Sequence, residues 1–194
     1  MKFPNALRAL LPFVLLLSLS AGATTMLRAD LPELARSADT IVHGTVRRME
    51  SRWSGDGRRI VTDVEIQVTE TLKGQAGGTV LVTQPGGRVG DIGQRVSGLA
   101  SFTPGEEVVL FLERRGTQSF RVAAMAQGKY KVQRSADGTR AMAVPEPIGD
   151  TLLVDPDTRQ PTTSSLQSLS LPELKASIRT ALQQPPVRAQ EKRP

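Results

Sequence analysis

The sequence predicts a mainly β fold: short antiparallel strands forming a small barrel or sandwich, with a short helix before it and a longer helix after it. Three observations carry this. Residues 59–72 (Arg-Ile-Val-Thr-Asp-Val-Glu-Ile-Gln-Val-Thr-Glu-Thr-Leu) put Ile60, Val64, Ile66, Val68 and Leu72 on one parity and Asp63, Glu65, Gln67 and Thr69 on the other, the pattern of a half-buried strand. Elsewhere the apolar runs are short and end at glycine or proline turns. Two stretches, Asp30-Leu-Pro-Glu33 and Ser170-Leu-Pro-Glu173, carry the N-cap, early proline and third-position glutamate that open a helix.

The elements follow in order. The first helix runs from Asp30 to about Ser37. Residues 40–48 read as a strand with Val42, Gly44 and Val46 on one face and Ile41, His43, Thr45 and Arg47 on the other. Trp53-Ser-Gly-Asp-Gly57 is a turn cluster, and the long strand of residues 59–72 ends at Lys73-Gly74. Residues 79–84 form a third strand. Residues 85–98 are glycine-rich and loop-like, with room for a short strand at 94–96. Pro104-Gly105 turns into an apolar strand at 107–113, and Gly116 turns that into a strand at 119–125. Residues 129–134 and 139–144 make a hairpin around Asp137-Gly138. Residues 145–165, rich in proline and threonine, read as irregular. The last helix spans 171–183, with Leu171, Leu174, Ile178, Ala181 and Leu182 on one face. Closure into a barrel would leave no exposed strand edge. Ile60, Val64, Ile66, Val68, Val80, Val82, Leu110 and Leu112 are expected inside.

Residues 1–23 read as a secretory signal peptide rather than as part of the fold. Lys2 and Arg8 precede an apolar run at 9–19, and Ala21-Gly22-Ala23 offers small residues for cleavage. The run is shorter than the roughly 20 residues a membrane span needs. No cysteine follows it, so a lipoprotein anchor is excluded. Cleavage would give a mature start at Thr24, a barrel domain with its short helix at 24–144, an irregular segment and helix packed on it at 145–184, and a disordered tail at 185–194. Taking Lys2 and Arg8 from 25 basic residues leaves 23 against 19 acidic ones, a net +4. That mild excess does not demand a nucleic-acid partner. The absence of cysteine removes disulfides, thiol catalysis and thiolate metal sites. The expected location is periplasmic or extracellular.

The chain has one histidine, His43. A catalytic triad needs a base held by a third group, and the nearest carboxylate in sequence, Asp39, lies four residues away at the start of the strand. His43 therefore reads as a strand residue on the more polar face. One histidine without cysteine cannot supply the usual zinc ligands. No nucleophile elbow, Walker A loop or dinucleotide fingerprint is present. Gly87-Arg-Val-Gly90 matches the short loop of the KH module, but strands rather than helices flank it. Asp155-Pro-Asp157 lacks the spacing and distal glutamate of a calcium loop. Glu106 and Glu107 would point to opposite faces of a strand. No catalytic residue, metal or cofactor is assigned, and the chain reads as a non-enzyme. One cluster remains: Arg47, Arg48, Arg52, Arg58 and Arg59 surround Trp53, opposed by Glu50 and Asp56. Either Trp53 folds back on the barrel and the arginines are ordinary solvated charges, or Arg52, Trp53, Arg58 and Arg59 form a binding site.

Ala38-Asp-Thr-Ile-Val42 opens the first strand, Glu70-Thr-Leu-Lys-Gly74 ends the long one, and Thr79-Val-Leu-Val-Thr83 and Gly105-Glu-Glu-Val-Val-Leu-Phe111 follow. This order of tags, over residues 38–124, resembles the netrin-like module, the OB-barrel of the tissue inhibitors of metalloproteases. It is similar also to a broad group of exported bacterial proteins. The resemblance implies an OB-like barrel and a habit of binding proteins through one end. The departures limit it: the family's cysteines are absent, and the expected mature start is Thr24-Thr25, so a protease-inhibiting mechanism is not implied.

The function expected from these readings is an exported, non-enzymatic binding module for a protein partner, itself an exported or envelope protein. The alternative is an OB-type binder of an anionic polymer, an oligosaccharide or single-stranded nucleic acid, through the arginine-rich hairpin. Nucleic acid is the less favoured partner. Apart from Trp53 and Tyr130, the aromatics after residue 23 are Phe102, Phe111 and Phe120, which fall in core strands and leave few stacking platforms.

Overall fold

The computed structural model describes residues 24–116 and 119–184. The signal-like segment 1–23 and the tail 185–194 lie outside them. The chain order is β1 (Thr25–Leu27), α1 (Leu31–Ser37), β2 (Thr40–Trp53), β3 (Ile60–Lys73), β4 (Thr79–Pro85), β5 (Gly87–Val89), β6 (Ile92–Gln94), β7 (Glu107–Arg115), β8 (Ser119–Val122), a 3-10 turn (Met125–Gly128), β9 (Lys129–Arg134), β10 (Ala141–Pro145), β11 (Leu152–Val154), β12 (Pro161–Thr162), β13 (Leu169–Ser170) and α2 (Leu171–Gln183). The fold is mainly β. Among the described residues, no helix is long and apolar enough to cross a membrane.

The main sheet runs β13-β10-β9-β7-β2-β3-β4-β8, and β8 also pairs with β7. Following the pairings β7-β2-β3-β4-β8 thus leads back to β7. The two contacts of β8 differ. It pairs antiparallel with β7 from Leu112↔Val122 to Arg115↔Ser119, and it meets β4 in parallel at Val82↔Phe120. The sheet is therefore mixed, but every pairing in it except the single β4–β8 contact is antiparallel. A second sheet, β1-β11-β12, begins with a parallel pair and occupies part of the segment that reads as irregular. Its strands are two or three residues long, too short for alternation to register. Residues 85–98 likewise hold a hairpin, β5–β6, where the sequence suggested only a short strand at 94–96.

Two cores sandwich the sheet. In β7, Val108, Leu110 and Leu112 join Val42, Val46, Val64, Ile66, Val80, Val82 and Phe120 on one side. Val109 and Phe111 join Ile41, Tyr130, Leu34, Leu174 and Ile178 on the other, where α1 and α2 lie. Burial on both faces explains why residues 108–112 are apolar without alternation. Of the residues expected inside, Ile60, Val64, Ile66, Val80, Val82, Leu110 and Leu112 are buried, and Val68 is half-buried.

The two helix starts differ. At α2 the Ser170 side chain accepts from Glu173 N and Glu173 accepts from Ser170 N, the full reciprocal box. At α1 Asp30 accepts from Glu33 N at 2.7 Å and caps from that side alone. The α2 face that meets the sheet is Leu171, Leu174, Ile178 and Ala181. β2 and β3 outrun their neighbours: β7 covers β2 only over Thr40 to Thr45, and β4 covers β3 only from Val61 to Gln67. The start of β2 is consequently buried on both faces, whereas its last seven residues are half-buried or exposed.

Candidate interaction site at the hairpin tip

The four residues singled out by sequence lie together at the end of the β2–β3 hairpin. Trp53 pairs across it with Ile60 and is 41 % exposed. Ile60 itself is buried, whereas Trp53, on the same face at the hairpin end, stays partly exposed. Arg52 donates from Nε to Asp63 Oδ2 at 2.7 Å, and Asp63 Oδ1 accepts from Thr83 Oγ1 at 2.6 Å, which ties this arginine to the sheet. Arg58 and Arg59 are exposed and have no ion pair among the described residues. The turn between them is ordered rather than loose. Ser54 N donates to Arg59 O at 2.7 Å and Gly57 N to Ser54 O at 2.8 Å. Ser54 Oγ donates to Asp56 Oδ1 at 2.5 Å, and Arg58 N donates to the same oxygen at 3.2 Å. These bonds hold the Asp56 carboxyl below its usual range, the Ser54 hydroxyl first among the causes. Asp56 is thereby turned into the loop and forms no ion pair with Arg58 or Arg59, although the Arg59 charge lowers its carboxyl a little further.

No protein-family model matches the chain, and no curated protein matches it. The geometry alone weighs the remaining candidates.

His43 is the chief surprise. The sequence expectation that it lacks partners is overturned: it is 5 % exposed, and both ring nitrogens are engaged. Nε2 lies 2.7 Å from Glu107 Oε1, and Nδ1 lies 3.1 Å from Lys175 Nζ. A lysine ammonium only donates, so Nδ1 accepts and Nε2 carries the proton that goes to Glu107. Arg134 makes two bonds to Glu107, and Lys175 and Arg179 both reach Glu70. The Lys175 hydrogen bond holds the Glu70 carboxyl below its usual range, and Arg134 does the same for Glu107. The cluster clips α2 to β2, β3, β7 and β9. With both nitrogens used and the ring covered, His43 has no face left for a substrate. Its partners Glu107 and Lys175 lie 64 and 132 residues away along the chain, and no local pattern announces them.

A second polar knot surrounds Lys129, whose side chain is fully buried. Its Nζ donates to Ser101 O, to Glu106 at 3.0 Å and to Glu146 Oε2 at 3.0 Å, and it lies 4.9 Å from the centre of the Phe102 ring. Burial pushes the Glu146 carboxyl up, but hydrogen bonds from Ser101 and Lys129 outweigh this and leave it below its usual range. Glu106 and Glu107 thus serve different knots, Glu106 with Lys129 and Glu107 with His43. Above Lys129 opens a cleft of about 1090 Å³, lined by Gln84, Ala100, Phe102, Glu106, Lys131 and Glu146 among others. Glu106 and Glu146 in it answer to Lys129 and Lys131, whereas Arg95 and Asp150, also in its lining, are in no ion pair among the described residues.

The weaker motifs resolve as structure. Gly87-Arg-Val-Gly90 is one arm and the turn of the β5–β6 hairpin. The Asp155 carboxylate caps its own turn, accepting from Asp157 N at 3.0 Å and Thr158 N at 2.9 Å, and Arg28 closes it at 2.7 Å. Among the described residues no group of three acidic, histidine or cysteine side chains could hold a metal ion.

Proposed function

We propose that the protein is an exported, non-enzymatic binding module that recognises a protein partner through Arg52, Trp53, Arg58 and Arg59, carried on a small OB-like barrel. The single observation that supports the site is Trp53: the one tryptophan of the chain is 41 % exposed at the β2–β3 tip, where burying it in a partner would recover the apolar contact the fold leaves open. The barrel reading is supported by the closing pair β7–β8, which joins the two ends of the strand series. The netrin-like resemblance favours the same architecture. The engaged ring of His43 and the saturated ammonium of Lys129 favour a binding role over a catalytic one. Export, to the periplasm or the exterior, follows from the signal-like residues 1–23.

The test is capture from the exported fraction of the native host with wild type and with Trp53→Ala, followed by titration of whatever wild type retains. Trp53→Ala should weaken that complex by about 2 kcal/mol or more while the fold stays intact. Equal capture by both would remove the site. The unpaired Arg58 and Arg59 support a second reading, an anionic polymer as ligand. Affinity for such a ligand would fall steeply with salt, whereas docking centred on Trp53 would not.

A further inference from the structure

We infer that the recognition surface is composite, formed by the β2–β3 tip and the β5–β6 hairpin together, and that its partner offers an acidic protein segment with an apolar residue at its centre. The inference rests on the tip being the interaction site, and it adds a second hairpin and the chemistry of the partner.

The two hairpins share one base. β4 ends at Pro85 opposite Val61, so the chain leaves the sheet at the tip end of β3. The next residues grip Ile60, the cross-strand partner of Trp53, by both backbone groups: Gly86 N donates to Ile60 O at 2.8 Å, and Ile60 N donates to Gln94 Oε1 at 2.9 Å. Thr62 Oγ1 donates to Gly86 O at 2.7 Å and lies 2.9 Å from Ser51 Oγ. Gly87 sits on these hydroxyls with φ +129, and a Cβ there would lie 2.3 Å from each. Only glycine allows the second hairpin to seat this closely.

What this brings to one end of the molecule is a pair of apolar residues among arginines. Ile92, at the start of β6, is 56 % exposed, the most of any large hydrophobic among the described residues. Residues 52–59 and 86–95 contain Arg52, Arg58, Arg59, Arg88 and Arg95 against Asp56 and Asp91, five positive charges and two negative, net +3. Arg58, Arg59, Arg88 and Arg95 are exposed and in no ion pair among the described residues. There is no lysine in either segment. The guanidinium fork matches carboxylates and phosphates in pairs of hydrogen bonds. The apolar pair decides between them. A single-stranded nucleic acid needs a succession of flat rings to stack its bases, and here one indole is followed by an aliphatic side chain. A peptide bearing carboxylates around an apolar residue satisfies both the arginines and the Trp53–Ile92 pair.

Because Trp53 is the only tryptophan, its emission reports this surface directly. The probe is a synthetic glutamate-rich peptide with a central Leu-Phe pair, titrated against the same peptide with glutamine for glutamate, a thymidine oligonucleotide and heparin. The glutamate peptide should shift the emission to the blue and bind about tenfold tighter than the glutamine peptide, a difference of about 1.4 kcal/mol. Arg88→Gln, Arg95→Gln and Ile92→Ser should each weaken it several-fold, although none belongs to the β2–β3 tip, and their urea midpoints should match wild type because the residues are exposed. If these three variants bind as wild type while Arg58→Gln weakens binding, the composite surface is wrong and the tip reading stands. Equal binding of the glutamine peptide, or tighter binding of the oligonucleotide or heparin, overturns the acidic-protein partner. Silence from every probe overturns the inference as a whole, and the capture experiment with Trp53→Ala then judges the tip by itself.

Discussion

Lys129 has none of its side chain exposed, whereas Trp53 is 41 % exposed at the β2–β3 tip. Residue type alone would place them the other way round. The difference lies in how many elements surround each. Lys129 begins β9, beside β7, and three groups of acceptors meet its three protons: Ser101 O, the Glu106 carboxylate and Glu146 Oε2. Trp53 stands where β2 has run past β7, which pairs with it only from Thr40 to Thr45. Burial therefore follows the topology, and the fold accepts a charge inside wherever enough partners converge on it. At the tip Arg52 is tied to Asp63, but Trp53, Arg58 and Arg59 stay exposed and can serve a contact with another molecule. The two polar knots and the open tip can be set against each other by substitution.

The largest effect is expected at Lys129. Replacing it with alanine leaves Glu106 and Glu146 buried without their cation, and removing one partner of a buried ion pair costs about 3–5 kcal/mol. Urea unfolding measures this. A cost below about 1 kcal/mol would break the comparison, since it would mean that water reaches the carboxylates as readily as it reaches the tip.

His43→Ala comes next, at about 1–3 kcal/mol, because Glu107 and Lys175 each lose a hydrogen-bond partner in a covered site. A lone imidazole on the polar face of a strand, as the sequence reads His43, would cost little to remove; the partners in the fold raise the expected cost. A wild-type urea midpoint in this variant would show that the two neighbours re-pair without the ring.

The same cluster sets an acid limit. Glu70 and Glu107 are held below the ordinary carboxylate range in the fold, Glu70 chiefly by Lys175 and Glu107 chiefly by Arg134. The folded chain thus binds protons at these groups less readily than the unfolded chain. Their stabilising effect is complete at pH values above the unfolded pKa of about 4.3 and is lost as pH falls through the lower folded values. The urea midpoint of wild type should decline with acid over that window, and Glu70→Gln should show a lower midpoint at neutral pH with a shallower decline. Parallel curves for the two proteins would exclude Glu70 from the acid response.

Much of the fold is legible in the residues, because alternation and caps are local. Residues 60–72 announce their strand by parity, and Ser170 with Glu173 places the start of α2 and its Leu174–Ile178 face. The parallel pair β1–β11 is not legible. Three residues cannot show a period, and their partner lies more than a hundred positions away. The same distance hides the site at His43, where Glu107, Lys175 and Glu70 have no spacing in common. The tip is the opposite case. Arg52, Trp53, Arg58 and Arg59 are neighbours along the chain, flank one turn, and therefore had to meet. The β5–β6 hairpin beside them carried a fainter signal, Gly90-Asp91 between Val89 and Ile92, masked by the glycines that surround it.

The smallest effect on stability is expected at the tip, and it tests the comparison from its other side. Ile66 lies fully buried in the core shared by β2, β3, β4 and β7, so Ile66→Ala should cost about 2–5 kcal/mol in lost burial and cavity. Trp53 pairs across the hairpin with Ile60 and is itself 41 % exposed. Such a pair contributes about 1 kcal/mol or less. Trp53→Ala should accordingly shift the urea midpoint only slightly, while Ile66→Ala shifts it severalfold more. The argument depends on the indole packing on little besides its own hairpin. If the two substitutions destabilise the protein equally, the exposed edge of Trp53 is the rim of a lid that holds β5–β6 down. Arg58 and Arg59 would then be ordinary solvated charges, and the contrast between sealed knots and open tip would fail at its open end.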